Sequence, residues 1–274
     1  MHILVIDRES LTNQLIAAKL QAMGHTVVVE PSKNDAFDKI RLGKFDCIMF
    51  DPAPLSDARP VMLGIWKNTP KDGPKPYLIL LSKTANAEEA IAAGTNDVLT
   101  KPFSSTDIET KIGNAERLLE INRHLANEDN VHSSGGMIGK AAFNQLFLSA
   151  IDRTFRYAER SVVVFISFSN HDDIVKKAGD AVVQDVLAKL TEKLTFMRRQ
   201  SDVIGRLGVR DFAIILQRPH YETEPLDAFA RFCEILEKFY QGFDDKTLAP
   251  TLEVSLVSLP QGSLLAESWV PEKT

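Results

Sequence analysis

Polar residues end several apolar runs in the N-terminal part of the chain, in an order that suits phosphoryl transfer. The runs HILVID, DCIMFD, YLILLS and DVLTK end in Asp7, Asp51, Ser82 and Lys101. Transfer to a carboxylate needs a nucleophilic oxygen, positive charge to offset the phosphate, a hydroxyl and usually Mg²⁺ held by further carboxylates. Asp51, Lys101 and Ser82 fill the first three roles, which predicts a phosphoacceptor site.

A second set of chemically distinctive residues surrounds a predicted β-hairpin near the C-terminus. Two apolar runs, VIGRL and FAIIL, flank a turn in which Gly208 precedes Val209, Arg210 and Asp211. Tight turns more often carry Gly, Asn or Asp where Arg210 stands. The arginine indicates that the tip of this hairpin does more than connect two strands.

The elements that position the first set form five βα units. Apolar runs at 2–7, 25–30, 46–51, 77–82 and 97–101 alternate with segments of helical periodicity. This alternation predicts a parallel sheet covered by helices. Because ligands bind at the carboxyl ends of the strands in such sheets, the polar residues at those ends are expected to converge on one site.

A long helix is predicted from about Ser104, where Ile108, Ile112, Ala115 and Leu119 recur at helical spacing. Its first half is expected to pack on the sheet, and a coiled-coil seam in its second half is left open. The polar, Gly-ended stretch EDNVHSSGG is predicted to be a linker. The chain thus divides into a domain at 1–120, a connecting helix and linker at 104–130, and a domain at 131–274.

The second domain is predicted to mix helices with antiparallel strands. A buried strand is expected at 162–168, a helix at about 226–240 and a last strand at 252–259. Other helices are indicated around Phe143 and Val183. The pattern is typical of an α+β fold.

Composition excludes several classes of function. The net charge is −5 and no basic block exceeds Arg198-Arg199, so no nucleic-acid partner is expected. Cys47 and Cys233 lie far apart, which indicates neither a disulfide framework nor a zinc site. The chain shows neither a signal peptide nor an apolar run of about 18 residues, so we expect a soluble cytoplasmic protein without a membrane partner.

The order Asp, Asp, Ser, Lys at strand ends, together with GTNDVLTKPF at 94–103, resembles the receiver domain of bacterial response regulators. The resemblance covers residues 1 to about 120, and Lys101-Pro102 followed by Phe103 is its most specific part. It implies a flavodoxin-like, doubly wound, parallel five-stranded α/β fold and a cis Lys101-Pro102 bond. It also implies Asp51 as phosphoacceptor, with Asp7, Ser82 and Lys101 in support, and a sensor histidine kinase or phosphotransfer protein as partner.

Two positions depart from the receiver pattern. The family usually has two adjacent acidic residues after its first strand, whereas here Arg8 follows Asp7 and puts a cation in the place of a Mg²⁺ ligand. Asp7 and Asp51 remain candidate Mg²⁺ ligands, with Glu9 reaching in or Arg8 pairing with Asp51 as alternatives. Val98 stands at the family's aromatic switch position. Both phosphorylation of Asp51 and a receiver that serves only as a dimerisation or docking module stay open.

Residues 131 to about 260 resemble the GGDEF domain, the diguanylate cyclase family that condenses two GTP molecules into cyclic di-GMP. SSGGMIGKAAF resembles its opening motif, Gly179-Asp180 its helix start, and RLGVRDF at 206–212 its RxGGDEF motif. The resemblance implies an α+β fold of the nucleotidyl-cyclase type. Since the chain ends at Thr274 without the closing helix typical of the family, we expect a C-terminally truncated domain.

The metal-binding carboxylates of that family are replaced. Arg210 stands where the hairpin tip carries an acidic ligand, and Ser167 stands where a DxD motif begins; Asp180, Gly208 and Asp211 are retained. A serine and an arginine cannot hold two Mg²⁺ ions on a triphosphate. We therefore expect a degenerate domain that is not an enzyme.

Arg199 and Asp202 form an R-x-x-D motif that resembles the family's inhibitory site for cyclic di-GMP. An arginine can bind guanine O6 and N7 as a bidentate pair. The alternative is that Asp202 caps the turn into the hairpin with Ser201, while Arg199 is a solvated helix end.

The leading interpretation is a two-component signalling regulator that forms a homodimer. Its receiver would be coupled to an inactive GGDEF-like domain that acts by binding cyclic di-GMP at the R-x-x-D site, protein partners, or both. The alternative is an interaction scaffold that works without phosphorylation, and the third reading is an active diguanylate cyclase.

Overall fold

A computed structural model of the chain describes residues 1–70, 75–127, 136–199, 201–219 and 221–272. Contacts divide the chain into two units, Met1–Glu120 with Arg153–Ala158 and Ile121–Asp152 with Glu159–Thr274. Within the described ranges no helix combines the length and the apolar character needed to cross a bilayer.

The N-terminal unit contains a parallel five-stranded sheet in the order β2-β1-β3-β4-β5. Its strands are β1 (His2–Ile6), β2 (Thr26–Val29), β3 (Cys47–Phe50), β4 (Tyr77–Ser82) and β5 (Asp97–Thr100). Its helices are α1 (Ser10–Ala22), α2 (Lys33–Leu42), α3 (Ala58–Asn68), α4 (Ala87–Ala93) and α5 (Ser105–Ala126). This strand order is that of flavodoxin-like doubly wound folds, so the predicted fold class is confirmed.

The central strands of this sheet are buried and place two aspartates at their carboxyl ends. All residues of β3 and β4 are buried, as expected for parallel strands covered by helices on both faces. The strand order reverses between β1 and β3, and such a switch point opens a crevice at the carboxyl ends of the strands. Asp7 and Asp51 directly follow those two strands.

Helix α5 begins with a reciprocal cap. The Asp107 carboxylate accepts a hydrogen bond from the Ser104 backbone N–H at 2.7 Å, and Ser104 Oγ accepts one from the Asp107 N–H at 3.2 Å. The helical prediction from Ser104 is confirmed within one residue. The predicted linker EDNVHSSGG lies outside the described residues except for Gly136.

The second unit contains a six-stranded mixed sheet in the order β11-β10-β7-β9-β8-β6. The strands are β6 (Ile138–Gly139), β7 (Ser161–Phe168), β8 (Val203–Arg206), β9 (Asp211–Gln217), β10 (Leu252–Leu259) and β11 (Leu264–Val270). The helices are α6 (Lys140–Tyr157), α7 (His171–Ala178), α8 (Asp180–Met197) and α9 (Glu224–Gln241). The α+β prediction for this domain is confirmed, as is the hairpin β8–β9.

The core of this unit lies between α8, α9 and the central strand β7. Strand β7 pairs antiparallel with both β9 and β10, and α8 buries a helical stripe that includes Leu187, Leu190 and Leu194. The prediction that 252–259 is the last strand is wrong, because β11 follows it and pairs antiparallel with β10. Only Val270 of β11 is buried, so the strand lacks the apolar run that indicates a strand in a sequence.

Candidate functional site

Lys101 lies at the centre of a carboxylate cluster at the carboxyl ends of the N-terminal strands. Its Nζ donates to Asp7 Oδ2 at 2.5 Å and to Asp51 Oδ2 at 2.7 Å, and lies 3.4 Å from Glu9 Oε2. The Lys101 and Asp7 side chains are 7% and 3% exposed. The structure thus brings together the residues predicted to converge, and the Lys101-Pro102 bond is cis as predicted.

Backbone groups fix the second oxygen of each aspartate. Asp7 Oδ1 accepts from the Glu9 N–H at 2.9 Å, and Asp51 Oδ1 accepts from the Ala53 N–H at 2.9 Å. Each carboxylate is therefore held between a turn and the Lys101 ammonium. This arrangement follows from the adjacency of β1 and β3, after which both aspartates stand.

The charge of Lys101 is maintained by its partners. Burial lowers the pKa of Lys101, but its hydrogen bonds to Asp51 and Asp7 outweigh that effect, and the pKa lies above its ordinary value. The pKa of Glu9 is lowered, first by the hydrogen bond from Thr12 and then by Lys101. Both shifts favour the ionised forms of Lys101 and Glu9.

Ser82 ends β4 and lines the same pocket. Its Oγ accepts from the backbone N–H groups of Thr84 at 3.2 Å and Ala85 at 3.1 Å, which leaves its O–H free to donate. Asp51 and Lys101 line this pocket too. A phosphoryl group on Asp51 would thus meet both a hydroxyl donor and an ammonium.

Arg8 and Glu9 differ in where their side chains lie. Glu9 reaches Lys101, whereas Arg8 is exposed and forms no ion pair within the described residues. The alternative pairing of Arg8 with Asp51 is not observed among the described residues, where Asp51 accepts from the Ala53 N–H and from Lys101. Arg8 instead lines the pocket beside them.

The oxygens of Asp7 and Asp51 are arranged around the ammonium group of Lys101, and this arrangement suits an ammonium group better than the Mg²⁺ that the receiver resemblance implies. In the part of the chain that the structure describes, no group of three or more His, Cys, Asp or Glu residues is arranged to hold a metal ion. The candidate Mg²⁺ ligands Asp7 and Asp51 direct one oxygen at Lys101 and the other at a backbone N–H. Arg8 adds a further cation to the same pocket.

The β8–β9 hairpin brings the degenerate cyclase positions together. Ser167 Oγ, near the end of β7, donates to Asp211 Oδ1 at 2.8 Å. Arg210 Nη1 lies 3.3 Å from Asp172 Oδ2 in the first turn of α7. The serine and the arginine thus both bind carboxylates of this chain.

The hairpin tip is also tied internally. Arg206 donates through Nε to the Gly208 carbonyl at 3.1 Å and through Nη2 to the Val209 carbonyl at 3.0 Å. Asp180 is exposed as the first residue of α8, after Gly179, whose φ of +84° ends α7. A positive φ of this kind favours glycine, which accounts for the Gly-Asp pair at this helix start.

Arg199 and Asp202 lie in a closed turn. Asp202 Oδ2 accepts from the Arg199 N–H at 2.9 Å, and the Asp202 N–H donates to the Arg199 carbonyl at 3.0 Å. Burial raises the pKa of Asp202, which is 6% exposed, although the hydrogen bond from Arg199 opposes the shift. This geometry matches the turn-capping alternative for Asp202.

Glu224 is a member of this second site that sequence reasoning missed. Its buried carboxylate pairs with Arg199 Nη1, and it lines a small pocket with Arg199, Asp202 and Arg231. Glu224 begins α9 and stands 25 residues after Arg199 in the chain. No local spacing in the sequence signals such a contact.

The structure shows a flavodoxin-like α/β unit followed by an α+β unit. The comparison with protein families agrees, because residues 133–265 match the family described as diguanylate cyclase, GGDEF domain. The matched residues lie in the C-terminal half of the chain and include the β8–β9 hairpin.

Similar proteins are distant in sequence. Diguanylate cyclase TpbB of Pseudomonas aeruginosa is 22% identical over 145 residues, which cover 53% of this chain and 33% of that protein. The chain thus spans about a third of the length of this curated relative.

Solved structures of both domain types are similar to parts of the chain. The GGDEF domain of DgcB from Caulobacter crescentus, in complex with c-di-GMP, is 12% identical, covers 51% of this chain and 83% of its own, and has a TM-score of 0.42. The chemotaxis protein CheY4 of Vibrio cholerae is 22% identical, covers 42% of this chain and 97% of its own, and has a TM-score of 0.34.

Proposed function

We propose that this chain is a two-component regulator whose GGDEF domain acts by binding, not by cyclising nucleotides. Its input site is the receiver-type site at Asp51. A sensor histidine kinase or phosphotransfer protein would supply the phosphoryl group to this residue. Its output is recognition of cyclic di-GMP or of a protein partner by the second domain. The combination of a receiver with a GGDEF domain is the framework for this proposal.

The observation that carries the proposal is the state of the hairpin tip. Ser167 donates to Asp211, and Arg210 pairs with Asp172, so a guanidinium and a hydroxyl occupy the places that a Mg²⁺-dependent cyclase needs for carboxylates. Magnesium ions take oxygen ligands, preferably anionic, and stabilise the transferring phosphates by their charge. A fixed guanidinium at that place repels the ions.

A product assay tests the absence of catalysis. The full chain is incubated with GTP and Mg²⁺ or Mn²⁺, and cyclic di-GMP is sought by mass spectrometry beside an active GGDEF enzyme as positive control. We expect no product. Product formation that is lost in an Asp211→Asn variant would contradict the proposal and establish a cyclase.

The proposed ligand site centres on Arg199. Its guanidinium is about half exposed, and Arg231 brings a second cation to the same pocket, which suits a ligand with guanine bases and phosphates. Binding requires Glu224 to release Arg199, and Asp202 to give up its hydrogen bond to the turn. The affinity is therefore expected to be modest.

Calorimetric titration of cyclic di-GMP into the wild type and Arg199→Ala tests this site. A bidentate arginine contact to guanine contributes about 1–3 kcal/mol, so we expect binding to weaken by about tenfold or more in the variant. Lys238→Ala, which removes an exposed cation paired with Glu234 on α9, is the matched control and should bind as the wild type does. Equal affinity in all three proteins would remove Arg199 from the site.

An interaction scaffold is the second candidate, and the engagement of Arg199 by Glu224 favours it. Such a scaffold binds neither ligand, and its role depends on self-association or on protein partners. It predicts that the mass measured by light scattering and the melting temperature stay the same with acetyl phosphate or cyclic di-GMP. A shift with either ligand would contradict it.

A further inference from the structure

Arg8 lines the Asp51 pocket, and its guanidinium has no ion-pair partner among the described residues. It follows Asp7 directly, is exposed, and forms no hydrogen bond or ion pair through its side chain among the described residues. An exposed guanidinium without a partner turns towards a new anion without first breaking an ion pair. Five N–H donors in a planar fork match the oxygens of a phosphoryl group.

The lining of this pocket is electrically balanced. Its ionisable side chains are three carboxylates and three cations, namely Asp7, Glu9, Asp51, Arg8, Lys83 and Lys101. The formal charge of the lining is therefore zero before any ligand enters. Mg²⁺ is favoured in sites with excess negative charge, which this pocket lacks.

Arginine instead of a carboxylate at position 8 raises the charge of the pocket by two units, which is the charge of one divalent ion. A carboxylate at position 8 would leave the lining at a formal charge of −2, and one Mg²⁺ would return it to zero. The guanidinium of Arg8 gives the same formal charge of zero as part of the protein itself. Addition of a phosphoryl group to Asp51 then brings the pocket to −1, as it would in the carboxylate site with its metal.

We propose that Asp51 accepts a phosphoryl group without a divalent metal, with Arg8 and Lys101 neutralising the phosphoryl oxygens. This inference rests on the proposed role of Asp51 as the input site. An Asp51 oxygen attacks the phosphorus of a small acyl phosphate, the bond from phosphorus to the acyl oxygen breaks, and the acid leaves as its carboxylate with the electron pair. No proton moves, because the nucleophile and the leaving group are both anions. Ser82 donates its O–H to a phosphoryl oxygen.

Intact-mass spectrometry after incubation with acetyl phosphate, in EDTA or in Mg²⁺, tests the proposal. The wild type should gain one phosphoryl group in EDTA as in Mg²⁺, and Asp51→Asn should gain none. Arg8→Asp should be labelled in Mg²⁺ and about 10²-fold more slowly in EDTA, the size of effect seen when one charge-stabilising donor is lost. Arg59→Asp makes the same charge change on α3 outside the pocket and should behave as the wild type.

Two results would overturn the proposal, and they differ in what they leave standing. Labelling of the wild type that EDTA abolishes shows that a metal is required, and leaves Asp51 as the phosphoacceptor. If the wild type is labelled neither in EDTA nor in Mg²⁺, both the metal-free reaction and the phosphorylation of Asp51 by small donors are contradicted. Calorimetry adds a direct check, because Mg²⁺ should bind Arg8→Asp measurably more tightly than the wild type.

Discussion

Replacing Lys101 with alanine leaves three carboxylates around an empty position at the ends of β1 and β3. Asp7 is the carboxylate whose charge is destabilised most. Its side chain is 3% exposed, while those of Asp51 and Glu9 are 17% and 48% exposed. Water can hydrate the latter two after the substitution. Asp7 stays buried with its charge uncompensated.

The size of the effect follows from that burial. Removing one partner of a buried ion pair costs about 3–5 kcal/mol, and partial hydration of Asp51 places this case near the lower end. We expect the N-terminal unit to lose about 3 kcal/mol of its free energy of unfolding, or roughly 10 °C in melting temperature for a domain of this size.

The dependence on pH has a definite sign. The pKa of Lys101 is raised in the folded state, so its stabilisation is fully present below the ordinary lysine value of about 10.4 and is lost as the pH rises through the folded pKa. The difference between wild type and Lys101→Ala should be constant from pH 7 to about 9 and shrink above it. Groups outside the cluster titrate alike in both proteins and cancel in the difference.

Urea unfolding measures this difference. In a Trp269→Phe background the fluorescence of Trp66 reports on the N-terminal unit. Lys83→Ala is the matched control, because Lys83 lines the same pocket but is exposed, and its loss should change stability by about 0.5 kcal/mol or less. A loss below about 1 kcal/mol for Lys101→Ala, or the same difference at pH 8 and pH 11.5, would refute this account of the cluster.

Three further perturbations follow from local geometry. Burial, followed by the N-terminal ammonium, lowers the pKa of His25, so stability should fall as the pH drops below about 6.5, and His25→Gln should flatten the melting temperature between pH 7.5 and 5.5. Burial raises the pKa of Asp202, so its stabilising contribution is lost as the pH rises through the folded value; Asp202→Asn, which keeps an acceptor for the Arg199 N–H, should melt no lower than wild type at pH 7. A Cβ on Gly205 would lie 2.4 Å from Phe143 Cδ2, so Gly205→Ala should cost about 1–3 kcal/mol in urea unfolding, whereas Gly113→Ala, with nothing within 4 Å, should cost none.

The N-terminal fold and its site were accessible from the sequence for a physical reason. Strands β3 and β4 are buried on both faces, so their residues form unbroken apolar runs. Parallel strands end at one edge of a sheet, and residues placed directly after them must meet. Convergence of Asp7, Asp51 and Lys101 therefore follows from their positions in the chain.

What the sequence did not reveal depends on tertiary contacts. Strand β11 is half exposed at the edge of its sheet, so its apolar pattern is weak. The pairing of Arg199 with Glu224 joins the end of one helix to the start of another, and no periodicity encodes it. Whether Glu9 or Arg8 would reach into the cluster depended on side-chain direction, which the order of residues leaves open.

The hydrogen bond between Ser167 and Asp211 also determines which side chains position 167 can accept. An aspartate at position 167 would set two carboxylates against each other at the end of β7, where a hydroxyl donates at 2.8 Å. Arg210 pairs with Asp172, and among the described residues Asp211 forms no ion pair that would offset the second carboxylate. A Ser167→Asp substitution is therefore expected to destabilise the second unit unless a further change supplies a cation at this place. With serine at position 167, this end of β7 is held to the hairpin by a neutral donor and needs no cation to do so.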